Sequence, residues 1–472
     1  MKQHLHVVGV GGIGVSAVAR YYLAHGWRVT GSDASPSGLT DALSQEGVGF
    51  CAGENPAAID AGTTLVVYTE AVLRNGGTAV HPELARAQEL GVRAIPYPVA
   101  LGEIANEKRL IAVCGSHGKS TTTAMLAVAL RANGGGSAVV GTQVPQLDGK
   151  NCAFDPASDL FAIEACEYRR SFLQYRPAVT VVTNVDLDHL DYYKDEADYL
   201  SAFQTFADQT REAIVITGGD RLSEKIDPRG KTVIRVFEDH YEIQVASERA
   251  HPGGRTSSAP AEKAERPGSE RPSQRAGSFP LPKLNLKVPG AHLAQDARLA
   301  LCAGLYLGLP EKGLVAALES YAGSWRRSEI VKTTAHGNLL MSDYGHHPSE
   351  ISATLTAIKE KYADKKLIVC FQPHQYSRTR ELLEGFKGCF GAADTLIIPD
   401  IYFSRDSDED VKAMTVAKFL VALRERNPDV RGGAGLEDAA AQLRLLDAKN
   451  PGSCVLLLLG AGSVDELRAD VP

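Results

Sequence analysis

The fold is decided by a junction that reads Val113-Cys114-Gly115-Ser116-His117-Gly118-Lys119-Ser120-Thr121-Thr122-Thr123. An apolar run, residues 110–114, precedes the glycines and predicts a strand, and the apolar residues 124–130 that follow predict a helix. In a glycine loop between a strand and a helix, the backbone N–H groups surround the phosphates of a nucleotide. The sequence therefore predicts a nucleotide site built on a parallel sheet.

The side chains of this loop indicate ATP and Mg²⁺. Lys119 can bind the β- and γ-phosphates as a point charge, and the hydroxyl of Ser120 can bind Mg²⁺. The spacing is not that of the standard phosphate-binding loop, because Val113 stands where the first glycine is usual, and the loop begins at Gly115. We predict that ATP contacts Gly115, Ser116, His117, Gly118, Lys119, Ser120 and Thr121.

A second glycine loop, Gly9-Val10-Gly11-Gly12-Ile13-Gly14, follows a strand-like run at the N-terminus. Such glycines let the backbone approach a diphosphate at the start of a helix. Asp33 ends the next predicted strand, where an acid that binds ribose is usual. Taken alone, the loop favours a nicotinamide dinucleotide, and a turn with only a packing role is the alternative. The predicted contacts are Gly11, Gly12, Ile13, Gly14 and Asp33.

Short β-branched runs alternate with helical patterns along nearly all of the 472 residues. This alternation predicts an α/β protein with parallel sheets. The predicted strands are 5–8, 28–31, 65–68, 110–114, 160–163, 179–183, 213–216, 367–371, 395–398 and 455–459. We expect three domains: a Rossmann-like domain at 1–107, a central P-loop ATPase-like domain with a mostly parallel sheet at 108–324, and a Rossmann-like domain at 325–472. Residues 247–278 have no Val, Ile, Leu, Met or aromatic residue, which predicts a disordered insertion.

The composition restricts the class of protein. The formal net charge is −7, whereas binding of a phosphate backbone favours dense positive patches, so we expect no nucleic-acid partner. The eight cysteines include no CxxC pair, which indicates buried thiols in a reducing compartment. The longest apolar run, 455–459, is far too short to cross a bilayer. With no signal-peptide pattern, we expect a cytoplasmic protein without membrane insertion.

Several motifs together resemble the Mur ligases, which build the peptide stem of peptidoglycan. The resemblance begins at the two glycine loops and continues, in family order, through residues 184–191, 288–292, 342–350, 371–379 and 460–463. It spans nearly the whole chain, and agreement of several unrelated motifs in order is more specific than any one of them.

The resemblance implies an ATP-dependent ligase that joins L-alanine to UDP-N-acetylmuramate through an acyl phosphate. In this family the first glycine loop binds the UDP group and not NAD. The resemblance also implies an ATP contact at His292, a substrate contact at Arg327, and a monomer or homodimer. A murein tripeptide recycling ligase is the nearest alternative.

Two polar residues follow strands of the predicted central sheet, Glu164 and His189. Because the carboxyl ends of parallel strands meet at the ligand crevice, we expect both near Lys119 and Ser120. We predict Mg²⁺ ligands at Ser120, Glu164 and His189, although a histidine is an unusual ligand for magnesium. The alternatives are a charge at a helix start for Glu164 and a loop-capping role for His189.

The third domain carries polar side chains in two loops that follow strands: Asp343, His346, His347, His374 and Arg378. A histidine pair can also indicate zinc, but no cysteine or third spaced ligand completes such a set. We predict a cluster that binds the amino acid and contacts the γ-phosphate, with Arg378 suited to a carboxylate. His346 or His347 is a candidate general base. Surface loop charges are the alternative.

The sequence departs from the family pattern near the nucleotide site. Cys166 and Arg169 occupy positions that are usually acidic, and a usual Arg-His-Asn segment reads Ala291-His292-Leu293. A later family asparagine appears as Asp296. These departures keep open a third alternative, a nucleotide-binding relative without catalytic activity.

Overall fold

The computed structural model describes residues 3–73, 81–189, 192–245, 275–404, 406–427 and 429–472. Three sheets, each flanked by helices, confirm the predicted α/β class with mostly parallel strands. The chain divides into two compact units. The first contains Met1–Gly141, Lys150–Asn285 and Gln295–Ser320, and the second contains Thr142–Gly149, Leu286–Ala294 and Tyr321–Pro472. Each unit is described by itself.

The first sheet is entirely parallel. Its strands are β1 (His4–Val8), β2 (Arg28–Asp33), β3 (Gly49–Ala52), β4 (Leu65–Tyr68) and β5 (Ala94–Pro96). Its helices are α1 (Ile13–Ala24), α2 (Gly38–Glu46), α3 (Pro82–Glu89) and α4 (Tyr97–Ala105). The order β3-β2-β1-β4-β5 places β1 at the centre. All five residues of β1 are buried, and the first glycine loop leaves the carboxyl end of this central strand.

The second sheet has nine strands and carries the phosphate loop at its centre. Its strands are β6 (Arg109–Cys114), β7 (Ser137–Val144), β8 (Lys150–Ala153), β9 (Leu160–Glu164), β10 (Val179–Val182), β11 (Ala213–Thr217), β12 (Thr232–Val236), β13 (His240–Gln244) and β14 (Gly277–Pro280). The helices that follow in the chain are α5 (Lys119–Ala132), α6 (Glu196–Gln209), α7 (Ala291–Tyr306) and α8 (Glu311–Ser320). Strand β6 lies between β9 and β10 and is parallel to both. The loops after these three strands therefore open at one edge of the sheet.

Residues 247–274 of the predicted insertion lie outside the described residues, and residues 275–278 are described. Its last part was predicted wrongly, because Gly277 and Ser278 belong to β14, which pairs with β13 in antiparallel orientation. Phe279 stacks on Tyr241 with ring centroids 5.4 Å apart. This apolar contact, one residue beyond the polar segment, explains why the strand begins earlier than composition indicated.

The third sheet lies in the second unit. Its strands are β15 (Glu329–Thr333), β16 (Leu339–Asp343), β17 (Lys366–Phe371), β18 (Thr395–Ile398), β19 (Val430–Gly432) and β20 (Cys454–Leu459). Its helices are α9 (Pro348–Lys361), α10 (Tyr376–Glu381), α11 (Leu383–Cys389), α12 (Asp408–Ala413), α13 (Val416–Arg424) and α14 (Leu436–Lys449). The order β15-β16-β20-β17-β18-β19 is parallel except for β15. The fully buried β20 explains the apolar run near the C-terminus, and none of the described helices is long and apolar enough to cross a membrane.

Candidate active site

The phosphate loop between β6 and α5 needs glycine at two positions. Gly115 and Gly118 have φ angles of 131° and 80°, a region that L side chains rarely adopt. A Cβ atom at Gly115 would lie 2.1 Å from Oγ1 of Thr183, and one at Gly118 would lie 2.4 Å from Oδ1 of Asp296. The loop therefore packs directly on the end of β10 and on α7.

Thr183 and Asn184, which the sequence did not indicate as site residues, hold this loop in place. The amide of His117 donates to Oδ1 of Asn184 at 3.0 Å, and the amide of Ser116 donates to the Asn184 carbonyl at 3.1 Å. The Thr183 hydroxyl donates to the Cys114 carbonyl at 3.2 Å. The loop is thus fixed by the neighbouring strand end. The parallel pairing of β6 with β10 was the available signal for this pair.

Lys119 begins α5 and lies in a cage of oxygen atoms. Its Nζ donates to the Gly115 carbonyl at 2.5 Å and to the Ser116 carbonyl at 2.9 Å, and it lies 3.0 Å from Oε2 of Glu167. Burial acts to lower the pKa of Lys119, but Glu167 and its acidic neighbours outweigh burial and raise the pKa above its ordinary value. Lys119 is therefore a cation, as the predicted phosphate contact requires.

Glu167 is the central carboxylate of this site and was missing from the predicted set. Its side chain is fully buried, and His189 Nε2 lies 3.4 Å from its Oε1. Burial acts to raise the pKa of Glu167, but Lys119 and His189 outweigh it and lower the pKa below its ordinary value. The available signal was its position three residues after Glu164, just beyond the end of β9.

The predicted magnesium ligands are brought together in part. Ser120 Oγ donates to Oε1 of Glu164 at 3.1 Å, and the Gly141 amide donates to the other carboxylate oxygen at 2.8 Å. His189 pairs instead with Glu167. Within the described part of the chain, no three His, Cys, Asp or Glu side chains are grouped to hold a metal ion. Ser120 and Glu164 are still the hard oxygen donors that Mg²⁺ prefers.

The first glycine loop is closed by a carboxylate. The Gly11 amide donates to Oδ2 of Asp33 at 2.8 Å. Asp33 therefore supports the loop in this structure, in addition to its predicted contact with ribose. At Gly14 a Cβ atom would lie 2.7 Å from the Tyr97 ring, so the loop passes closely over the start of α4.

A cavity of about 290 Å³ within the first unit extends from the first glycine loop to Glu164. Ile13 and Gly14 of the first glycine loop line it, and so does Glu164, the hydrogen-bond partner of Ser120. The remaining wall includes Glu70, Tyr97, Gly141, Cys166, Ser171 and Tyr175. The cavity therefore extends as far as the carboxylate that accepts from Ser120.

In the second unit, Asp343 ends β16 and is buried. Its Oδ2 accepts from the Ser328 amide at 2.7 Å and its Oδ1 from the Gly345 amide at 2.8 Å. Burial raises the pKa of Asp343, partly opposed by Arg327 and the two amides. The guanidinium of Arg327 lies 4.9 Å from the centroid of the Tyr344 ring. Asp343 therefore orders the loop that presents Tyr344 and Arg327.

The predicted histidines of this unit separate into two roles. The His346 and His374 rings lie 6.3 Å apart, and His374 stacks on Tyr402 at 5.3 Å. His347 instead caps α9, where its side chain accepts from the Ser349 amide at 3.4 Å. The role of His346 or His347 as a general base stays a prediction.

The contact of Arg378 with a carboxylate or phosphate and the contact of His292 with ATP stay predictions. Arg378 lies in α10, the helix that follows the His374 loop, and is half-buried. His292 lies in the first turn of α7, in the part of that helix that belongs to the second unit. Burial lowers the pKa of His292, which favours a neutral imidazole.

In the comparisons with known proteins, three family profiles match successive segments of the chain. Profiles described as Mur ligase family, catalytic domain; Mur ligase middle domain; and Mur ligase, glutamate ligase domain match residues 4–109, 113–260 and 326–462. The UDP-N-acetylmuramate–L-alanine ligase of Agathobacter rectalis is 32% identical, with 99% of this chain and 97% of that protein covered. The enzyme of the same name from Chloroflexus aggregans is 36% identical over the same shares.

Two solved structures share the fold. The UDP-N-acetylmuramate–alanine ligase of Thermotoga maritima superposes with a TM-score of 0.73 at 22% identity, over 99% of this chain and 97% of that one. A murein peptide ligase from Psychrobacter arcticus superposes with a TM-score of 0.67 at 19% identity, over 99% and 98% of the two chains.

Proposed function

The chain belongs to the Mur ligase family, and we propose that it joins L-alanine to UDP-N-acetylmuramate and couples this step to the cleavage of ATP to ADP and phosphate. The reaction belongs to cytoplasmic synthesis of the peptidoglycan precursor. Full-length similarity to L-alanine ligases supports this substrate pair over the tripeptide of the recycling enzymes.

The observation that carries the proposal is the cavity that extends from the first glycine loop to Glu164, the hydrogen-bond partner of Ser120. The first loop lines it with Ile13 and Gly14, and the phosphate loop reaches it through the Ser120–Glu164 hydrogen bond. An acid bound by the first domain then lies beside the terminal phosphate of a nucleotide bound by the second. A dinucleotide oxidoreductase would use the first loop alone and would leave Lys119 without a function.

The residues support a phosphoryl-transfer chemistry. A carboxylate is a poor acyl donor, so the sugar carboxylate first attacks the γ-phosphorus, forming an acyl phosphate and releasing ADP. Lys119 neutralises the charge that develops on the phosphate oxygens, and the loop amides hold the phosphate groups in position. Ser120 and Glu164 would hold Mg²⁺, which supplies further neutralisation of the phosphate charge when it is bound.

The third domain, 325–472, supplies the amino acid in this proposal. Arg327 and Arg378 are suited to the amino-acid carboxylate or to phosphate, by paired N–H donors. The alanine amine attacks the acyl carbon, phosphate leaves, and the amine loses a proton, for which we propose His346 as the acceptor. Asp343 and His374 are proposed as further contacts to the amino acid or the phosphate.

An amino-acid panel tests the function. The protein is incubated with UDP-N-acetylmuramate, Mg·ATP and, separately, L-alanine, glycine, L-serine or the murein tripeptide, and phosphate release is measured. We expect the greatest kcat/KM with L-alanine. Preference for the tripeptide would assign the protein to recycling, and ATP binding without substrate-dependent phosphate release would favour the non-catalytic alternative.

A further inference from the structure

A strained segment forms part of the cavity wall between the two glycine loops. Arg169 and Arg170 are consecutive non-glycine residues with φ angles of 51° and 57°. Such conformations are costly and persist where the surrounding structure enforces them, often at binding sites. Cys166 and Ser171, on either side of the two arginines in the chain, both line the cavity. The strained backbone therefore sets the directions of two arginine side chains at the edge of the cavity.

The two arginines differ in how firmly the protein holds them. Arg170 donates to Oδ1 of Asp198 at 2.6 Å and lies over the Tyr193 ring at 5.5 Å. This set of contacts is typical of a structural arginine. These contacts give the Arg170 guanidinium a structural role, and they do not involve Arg169.

Arg169 makes looser contacts, an ion pair with Glu70 and a cation–π contact with the Tyr168 ring at 5.6 Å. Its Nη1 lies 3.9 Å from Oε2 of Glu70, and the two side chains are 40% and 37% exposed. At this distance and exposure an ion pair contributes little to stability. Glu70 itself lines the cavity, so the pair lies at the edge of the cavity and links a residue of the first domain to a residue of the second.

We propose that Arg169 binds an anionic group of the UDP-sugar acid, and that Glu70 competes with the substrate for its guanidinium. A phosphate or carboxylate oxygen can accept two short, charge-assisted hydrogen bonds from a guanidinium, which is a stronger arrangement than the loose pair with Glu70. This inference rests on the proposed function, since it assigns a contact to the proposed substrate.

Direct binding to the full chain, by calorimetry without ATP, tests the competition. For UDP-N-acetylmuramate we expect Arg169→Gln to raise the Kd about tenfold, the size of one lost charge-assisted contact. We expect Glu70→Gln to lower the Kd about threefold, because it removes the competitor. The double variant should resemble Arg169→Gln. The opposite signs of the two single variants are the signature of competition, which a purely structural ion pair would not produce.

Matched controls and a second ligand sharpen the result. Arg86 and Glu89 form another exposed ion pair, on α3, and Arg86→Gln and Glu89→Gln should leave the Kd unchanged. Thermal unfolding checks that each variant is folded. With UDP as the probe, a defect in Arg169→Gln assigns the contact to the diphosphate, whereas a defect seen only with UDP-N-acetylmuramate assigns it to the carboxylate.

Two outcomes would overturn the inference alone: an unchanged Kd in Arg169→Gln, or weaker binding in Glu70→Gln. Failure of the parent protein to bind UDP-N-acetylmuramate would instead overturn the proposed function, and the inference with it. The two failures are therefore distinguishable in one set of titrations.

Discussion

The two glycine loops of the first unit have the same construction but differ in the charge they carry. A carboxylate bonds the first loop, and the second carries an ammonium group. Each follows the central strand of its sheet and leads into a helix, α1 or α5. In the first loop, the Gly11 amide is bound by the carboxylate of Asp33. In the second, carbonyl and carboxylate oxygens surround the ammonium group of Lys119.

The difference shows that the glycines identify a phosphate site but do not determine its chemistry. Backbone amides alone suit a diphosphate that is bound and not transformed. Transfer of a terminal phosphate requires a fixed positive charge where negative charge develops. The carboxylate of Glu167 balances the charge of Lys119 in the buried site. This pairing offsets the free-energy cost of burying the ammonium group, so Lys119 stays protonated. The following predictions test this division between binding and chemistry.

The largest effect is expected from removing the cation of the second loop. Lys119→Met keeps the aliphatic packing but removes the charge, and we expect kcat for ADP release to fall about 10³-fold. The Kd for UDP-N-acetylmuramate should stay within about twofold, because the first loop is intact. Steady-state kinetics and calorimetry measure the two quantities.

The exposed Lys225, which pairs with Glu196, provides the control for this substitution. Lys225→Met should retain the parent kcat. Equal ADP release from Lys119→Met and the parent would mean that the second loop does not perform the chemistry, and the contrast between the loops would fail.

A smaller effect is expected at the carboxylate beside the second loop. Glu164→Gln keeps an oxygen acceptor for the Gly141 amide, and its NH2 group can donate to the Ser120 hydroxyl, but it removes the negative charge. We expect the Mg²⁺ concentration for half-maximal activity to rise about tenfold, with a smaller change in KM for ATP. Glu212, at the opposite end of the same sheet, is the control carboxylate. An unchanged Mg²⁺ requirement would remove Glu164 from the metal site.

A substitution in the first loop should affect binding of the UDP-sugar and not the use of ATP. Asp33→Ala leaves the Gly11 amide without its acceptor, which should raise KM for UDP-N-acetylmuramate about tenfold. KM for ATP should not change. Asp33→Asn, which restores an acceptor oxygen, should recover part of the loss. The exposed Asp41 on α2 serves as the control, and an equal rise in KM for both substrates would contradict separate roles for the loops.

Most of the fold was predictable because parallel strands covered on both faces produce apolar runs. All of the strands proposed from the sequence occur, including β20, which is fully buried, and β6, which is buried except at Arg109. The strands that were not predicted are mainly edge or solvent-facing ones. An example is β13, whose alternating exposure mixes polar with apolar residues. The tertiary contact between Phe279 and Tyr241 also could not be read from composition.

The site was predictable where the motif itself supplies the atoms, as at Lys119 and Ser120. It was not predictable where partners come from distant parts of the chain. Glu167 lies 48 residues from Lys119, and its role depends on the pairing of β6 with β9. His347 illustrates the reverse case, because a helix cap uses the same residue type as a catalytic base.

The smallest predicted effect concerns the sheet beneath the first loop. His4 is buried in β1, where its ring bonds Thr30 and Thr63 at 2.8 Å and 3.0 Å, and burial, with Arg28 and His6, lowers its pKa. The unfolded chain therefore binds this proton at a higher pH than the folded chain. The stability contributed by His4 is present above its ordinary pKa and is lost as pH falls through that value toward the folded one.

Between about pH 7.5 and about pH 5.5, the unfolding temperature of His4→Gln should thus fall less than that of the parent. His25→Gln, at an exposed position, is the control. An equal fall in the parent and His4→Gln would show that the first sheet, unlike the second loop, does not depend on the protonation of a buried group.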